Sequence, residues 1–277
     1  PFFTVTGPDA DGLSTVVYAE DQALPNQTTH RVKLQFKDDA KPVANTITHT
    51  ATFDVAYQTI PAAYATTQFS GPKGTLRANV HQLPFNAARG PGDANSVANA
   101  ETELADGFID PATGEPYENI AVAEPVTLGV VNASDSVAGT AAEAGWFNAT
   151  NTPGDPDQEM PQGTFGDQYA VQFIAYAELK AGAYRMYVNS DDGFRLTAGP
   201  NGPDVAGTLL GQFDGGRGMT LNGDPAGFDV VVTQTGVYPL RLAYWEGSGD
   251  ASVEWYTQDL VTGQRTLVNA PVAGAVQ

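Results

Sequence analysis

Cysteine is absent from all 277 residues, which excludes disulfides, thiolate metal centres and cysteine nucleophiles. Basic residues are scarce: 13 Lys and Arg stand against 32 Asp and Glu, a net charge of −19. A chain this acidic lacks the basic footprint that nucleic-acid binding needs. The same charge suits divalent cations and resists nonspecific association. No apolar run approaches the ~18 residues of a membrane helix. A starting Met and a signal-peptide pattern are both missing, as expected of a mature piece or an excised section of something longer. The three histidines, His30, His49 and His81, are not at metal-ligand spacing. There is no Gly-x-Ser-x-Gly elbow, P-loop or dinucleotide fingerprint, and no local signature marks the carboxylate pair a glycosidase requires. The expectation is a non-enzyme.

What is present is turn chemistry between short apolar runs. Gly 30 and Pro 19, with 16% charged residues, suit many strands joined by turns, an all-β protein. Three segments emerge. Residues 1–62 alternate cleanly: Arg31 to Lys37 sets Val32, Leu34 and Phe36 on one face, and Thr46 to Tyr57 returns with Ala51, Phe53, Val55 and Tyr57. Phe3–Val5 and Leu13–Tyr18 add candidate strands. This reads as a small immunoglobulin-like sheet, short of the ~100 residues of such sandwiches, and open to self-association. Residues 63–140 read as an irregular connector with a short helix near 95–105, capped by Asp93 or Asn95 and stopped at Gly107. Leu76, Val80, Leu83 and Phe85 are its expected contacts with a third segment, 141–277.

The chemistry concentrates at Ser190-Asp191-Asp192-Gly193, where the strand Tyr184 to Asn189 ends. Successive strand side chains point to opposite faces, so two adjacent carboxylates serve one ion only across a cis peptide or in a tight turn. Asn-Ser-Asp-Asp-Gly also has the composition of an ordinary β-turn, and Lys37-Asp38-Asp39-Ala40 reads as a plain hairpin turn. Gly154-Asp155-Pro156-Asp157 is a second loop rich in turn residues that could hold an ion. Asn26, Asn132 and Asn148 stand in Asn-x-Ser/Thr sequons.

What separates Asp191-Asp192 from an ordinary turn is its surroundings. Ala181-Gly182-Ala183-Tyr184 leads into Ser190-Asp191-Asp192-Gly193-Phe194-Arg195-Leu196. Gly236-Val237-Tyr238 leads into Tyr244-Trp245-Glu246-Gly247-Ser248-Gly249-Asp250, and Val253-Glu254-Trp255 follows. In this order and over roughly 141–270, the segment resembles the β-sandwich module first recognised in a fragment of anthrax protective antigen, which recurs in fungal and bacterial adhesins and in glycosidases. The resemblance implies a sandwich over 141–277 that binds Ca²⁺ through Asp191 and Asp192, with Glu246 as a further ligand. Gly247 and Gly249 let backbone carbonyls approach, and Tyr244, Trp245, Ser248 and Asp250 join the ligand surface. It implies a lectin-like or adhesin-like module, secreted or at the cell surface, that takes a glycan of a cell surface or matrix. The alternative is a structural subunit or spacer of a stalk, filament or array without sugar binding. For the aromatics, burial in the core is the competing expectation.

Overall fold

The computed structural model describes residues 3–6, 15–18, 26–37, 41, 43, 45–66, 74–89, 95–121, 125–135, 145–147, 158–161, 166–200, 204–219, 227–260 and 262–270. It is almost entirely β. Strands β1 (Phe3–Thr6) and β2 (Thr15–Tyr18) pair with each other, as do β3 (Thr28–Lys37) and β4 (Thr46–Val55). Then come β5 (Gln58–Ile60), β6 (Leu76–Gln82), helix α1 (Val97–Leu104), β7 (Val126–Leu128), β8 (Asn132–Ser134) and β9 (Gln158–Glu159). The chain continues through β10 (Tyr169–Leu179), β11 (Gly182–Asp191), β12 (Gly193–Ala198), β13 (Thr208–Phe213) and β14 (Phe228–Val232). It closes with β15 (Gly236–Glu246), β16 (Ser252–Gln258) and β17 (Arg265–Leu267).

Two sheets make the sandwich. One runs β13-β12-β15-β10-β6-β7; the other runs β5-β14-β11-β16-β8-β9, with β17 beside β16. Their inner faces follow from period-2 alternation. Val171, Phe173, Leu240, Leu242 and Tyr244 on the first sheet meet Met186, Val188, Val230, Val253 and Trp255 on the second, all in one buried cluster. Each such side chain stabilises the fold by about 1.5–3 kcal/mol when fully buried.

Residues 63–140, read from sequence as a connector, supply strands instead. β6 lies between β10 and β7, β8 pairs with β16, and the more N-terminal β5 adds in parallel to β14. The reason is visible in the burial. Leu76, Ala78 and Val80 alternate inward as a sheet strand does, a signal that the many Gly and Pro nearby obscure. Leu76, Val80 and Leu83 are buried as expected, whereas Phe85 is exposed.

Helix α1 covers the outer face of the first sheet. Its cap is Ser96, whose hydroxyl accepts from the Asn99 amide, rather than Asn95; Asp93 lies outside the described residues. The Val97 amide is satisfied from elsewhere, by Asp214 Oδ1 at 2.8 Å. Glu101 fastens the helix to the sheet, accepting from both terminal nitrogens of Arg241 at 2.8 and 2.6 Å. Arg241 is fully buried and also donates to Gln172.

The β3–β4 hairpin has the register its alternation predicts, with Val32 opposite Ala51 and Leu34 opposite His49. It stands as its own two-stranded sheet, as does β1–β2. Among the described residues no immunoglobulin-like sandwich closes over them. Asp38, Asp39, the 154–157 loop and Asn148 lie outside the described residues. The other two sequon asparagines are engaged: Asn26 donates to the Tyr57 carbonyl, and buried Asn132 to that of Phe147.

Candidate cation-binding site

The two places where the chain crosses between the sheets lie side by side. β11 ends in the second sheet at Asp191 and β12 begins in the first at Gly193, so Asp191-Asp192 is one corner. β15 ends in the first sheet at Glu246 and β16 begins in the second at Ser252, so residues 247–251 form the other. Ladder pairing holds the corners together: Gly193 opposes Trp245, and Asp191 opposes Ser252. The sequence thereby brings carboxylates 55 residues apart to one end of the sandwich.

Carboxylate oxygens of Asp191, Asp192 and Glu246 all lie within 4.8 Å of one another. The Asp191–Asp192 peptide is cis. The backbone holds the ring from both corners. Asp192 accepts from the Arg217 amide at 3.0 Å and from the Gly247 amide at 2.9 Å. The Arg217 side chain donates to the carbonyls of Ser190 and Val188 and to the Ser190 hydroxyl, and stacks on Phe213. The Tyr244 hydroxyl donates to the Asp191 carbonyl and lies 3.4 Å from Glu246 Oε2.

The electrostatics of the cluster favour a cation. Glu246 is only 2% exposed, and its Oε1 has no hydrogen-bond partner. Burial, then the charges of Asp192, Asp191 and Asp167, push its carboxyl up to about 9. Burial, then Asp192 and Asp250, push Asp191 up to about 6, against a backbone hydrogen bond from Met219 that lowers it. An uncompensated buried carboxylate is costly, and three at this spacing repel. A divalent cation satisfies all of them at once; Ca²⁺ takes six to eight oxygens at 2.3–2.6 Å. The residues present fit that ion.

Gly193 is required here by close approach. A Cβ on it would lie 2.2 Å from the Trp245 ring and 2.8 Å from the Gly215 carbonyl.

The remaining sequence candidates divide. Tyr244 and Trp245 are buried, so neither offers a ring face to a sugar. Trp245 packs with Ala100 and Ala170 under helix α1, and Tyr244 serves through its hydroxyl. Gly247 contributes its amide to Asp192 rather than a carbonyl to the cluster; its carbonyl accepts from Gln168. Ser248 and Asp250 are exposed on the rim. Sequence reasoning missed Arg217 and Asp167, whose carboxylate accepts from the Gly249 amide at 3.1 Å. Neither sits in a motif, and only the fold brings them to the corner. Of the histidines, His81 pairs with Asp106 at 2.6 Å, and His30 stacks on Phe53.

No family model and no curated protein matches the chain. Solved structures do. A PA14 sugar-binding domain from an RTX adhesin is 16% identical, covering 70% of this chain and 94% of its own, with a TM-score of 0.43. The PA14 domain of the antifreeze protein MpAFP is 13% identical over 73% and 92%, TM-score 0.39. The A domain of epithelial adhesin 9 from Candida glabrata, in complex with Galβ1-3GlcNAc, is 11% identical over 71% and 88%, TM-score 0.39. Likenesses of this degree leave the function to the residues of the site.

Proposed function

We propose that this chain is a calcium-dependent carbohydrate-binding module, lectin-like or adhesin-like, of a larger extracellular or cell-surface protein. One observation carries the reading: three carboxylates converge within 4.8 Å at the end of the sandwich, and a buried Glu246 oxygen among them has no partner. Asp191, Asp192 and Glu246 hold the ion. Bound calcium supplies coordination positions that a glycan's vicinal hydroxyls can take. Asp192 is oriented by the amides of Arg217 and Gly247, and the exposed Ser248 and Asp250 flank the place a sugar would occupy. The module binds glycans and does not cleave them. The test is a glycan array read in calcium and in EDTA. Binding that requires calcium and is lost in Asp191→Asn/Asp192→Asn is expected; binding indifferent to EDTA would refute it.

A second reading, an assembly subunit, is favoured by the β3–β4 hairpin. Ile47 is 69% exposed and Phe53 39% exposed on a long two-stranded ribbon, and a lone hairpin is marginal in water. Residues 28–55 hold four Lys and Arg against three Asp, a net +1, leaving −20 on the rest of the −19 chain. In this reading the immunoglobulin-like segment is completed against the acidic surface of another copy. Light scattering across a concentration series tests it: concentration-dependent oligomers lost in Ile47→Asp are expected, and a monomer throughout would refute it.

A further inference from the structure

The carboxylate cluster accounts for three acids, but the gap between the sheets has two more walls. On the second sheet, Ser134 opposes Ser252, which opposes Asp191 in turn. The next residue, Asp135, is tied by its amide to the Ala251 carbonyl at 3.0 Å, beside the loop that follows Glu246. On the first sheet, Tyr169 opposes Glu246 directly. Asp135 and Tyr169 therefore approach the site from opposite sheets.

Both carry unmet polar atoms. Asp135 Oδ1 is shut from solvent with no hydrogen-bond partner, as is Glu246 Oε1. Tyr169 is 1% exposed. Its hydroxyl lies beside that of Tyr244 and in the field of Glu246 and Asp135, without a partner in hydrogen-bonding geometry. Buried groups of this kind are normally satisfied, by water where protein does not reach. The field of Asp135 also reaches Asp191. Asp135 is outside the set of carboxylate oxygens within 4.8 Å of one another, so it does not join Asp191, Asp192 and Glu246 in directly holding an ion. Residues at that remove orient the ligands and tune affinity.

We propose that Asp135 is a further acidic residue of the cation site, contributed from the sheet opposite Glu246 and acting on the ion through a water it shares with the Tyr169 hydroxyl. The inference rests on the reading of Asp191, Asp192 and Glu246 as a cation site.

Calorimetric titration of CaCl₂ into the full chain tests it, with Asp135→Asn, Tyr169→Phe and a remote control, Glu178→Gln. The control removes one charge near the far end of β10, about 30 Å from Tyr169 at strand rise. Asp135→Asn should weaken calcium binding about tenfold or more, the range for residues one shell out. Tyr169→Phe, which changes no charge, should weaken it several-fold, and the control should stay within about twofold. Asp135→Asn and Tyr169→Phe both within about twofold of wild type would overturn the proposal. A loss in Asp135→Asn alone would overturn the shared water. Tyr169→Phe decides by itself if Asp135→Asn does not fold. No binding by the wild type would instead refute the cation site, and this inference with it.

Discussion

The Gly247 amide donates to Asp192 Oδ2 at 2.9 Å, so the backbone of one sheet corner fixes a carboxylate of the other. Calcium held across the corners would bind the folded form alone. Stability should then rise by RT ln(1 + [Ca²⁺]/Kd), about 2.7 kcal/mol at a hundredfold excess over Kd. Melting temperature should climb with calcium in the wild type and barely respond in Asp191→Asn/Asp192→Asn. Differential scanning calorimetry with matched chelator controls checks this.

Without calcium the pH dependence should be inverted from that of an ordinary acidic site. Glu246 is raised to about 9 and Asp191 to about 6, and burial raises Glu103, outside the cluster, to about 7, so between pH 4.5 and 9 these groups bind more protons in the folded protein than in the unfolded one. Stability then falls as pH rises. Denaturant unfolding in EDTA at pH 5 and pH 8 should show the higher stability at pH 5. Because calcium needs the Asp191 and Glu246 carboxylates ionised, its affinity should rise over the same interval and binding should release protons.

Gly193→Ala should destabilise by about 1–3 kcal/mol through overpacking, because its Cβ would press on buried Trp245 and on the Gly215 carbonyl. Chemical denaturation reads the loss directly.

Glu101→Ala strips the carboxylate from Arg241, a guanidinium 1% exposed and held at 2.6 and 2.8 Å. Breaking a buried pair from one side costs about 3–5 kcal/mol. A drop of that order in denaturant unfolding, with helix α1 losing amide-exchange protection, is expected.

The sandwich and its carboxylates were legible because each is written locally. Period-2 alternation marked β3 and β4, and the coupled motifs that carry the resemblance, Ser190-Asp191-Asp192-Gly193 and Glu246, fall at the ends of β11 and β15. The central role of β6 was not legible. Its neighbours in the sheet, β10 and β7, lie far along the chain, and local pattern carries no record of them. The ring partners of the Asp192 carboxylate are backbone amides, which no residue type announces. For Trp245 the sequence offers both ligand surface and core burial, and the packing of helix α1 over it, which no local pattern shows, puts it in the core.

That omission changes what a fragment should do. A piece beginning at residue 141 lacks β5 to β8, including the strand between β10 and β7. A 56–277 fragment keeps them all. The longer fragment should unfold cooperatively by circular dichroism, and the 141–277 fragment should not.

The most direct test of the central claim is a crystal structure grown or soaked with calcium. One ion is expected between the two sheet corners, with at least one oxygen each from Asp191, Asp192 and Glu246 within the 2.3–2.6 Å of calcium coordination. A structure at millimolar calcium with no ion among these three carboxylates, and with Glu246 Oε1 bonded to a protein donor instead, would contradict it.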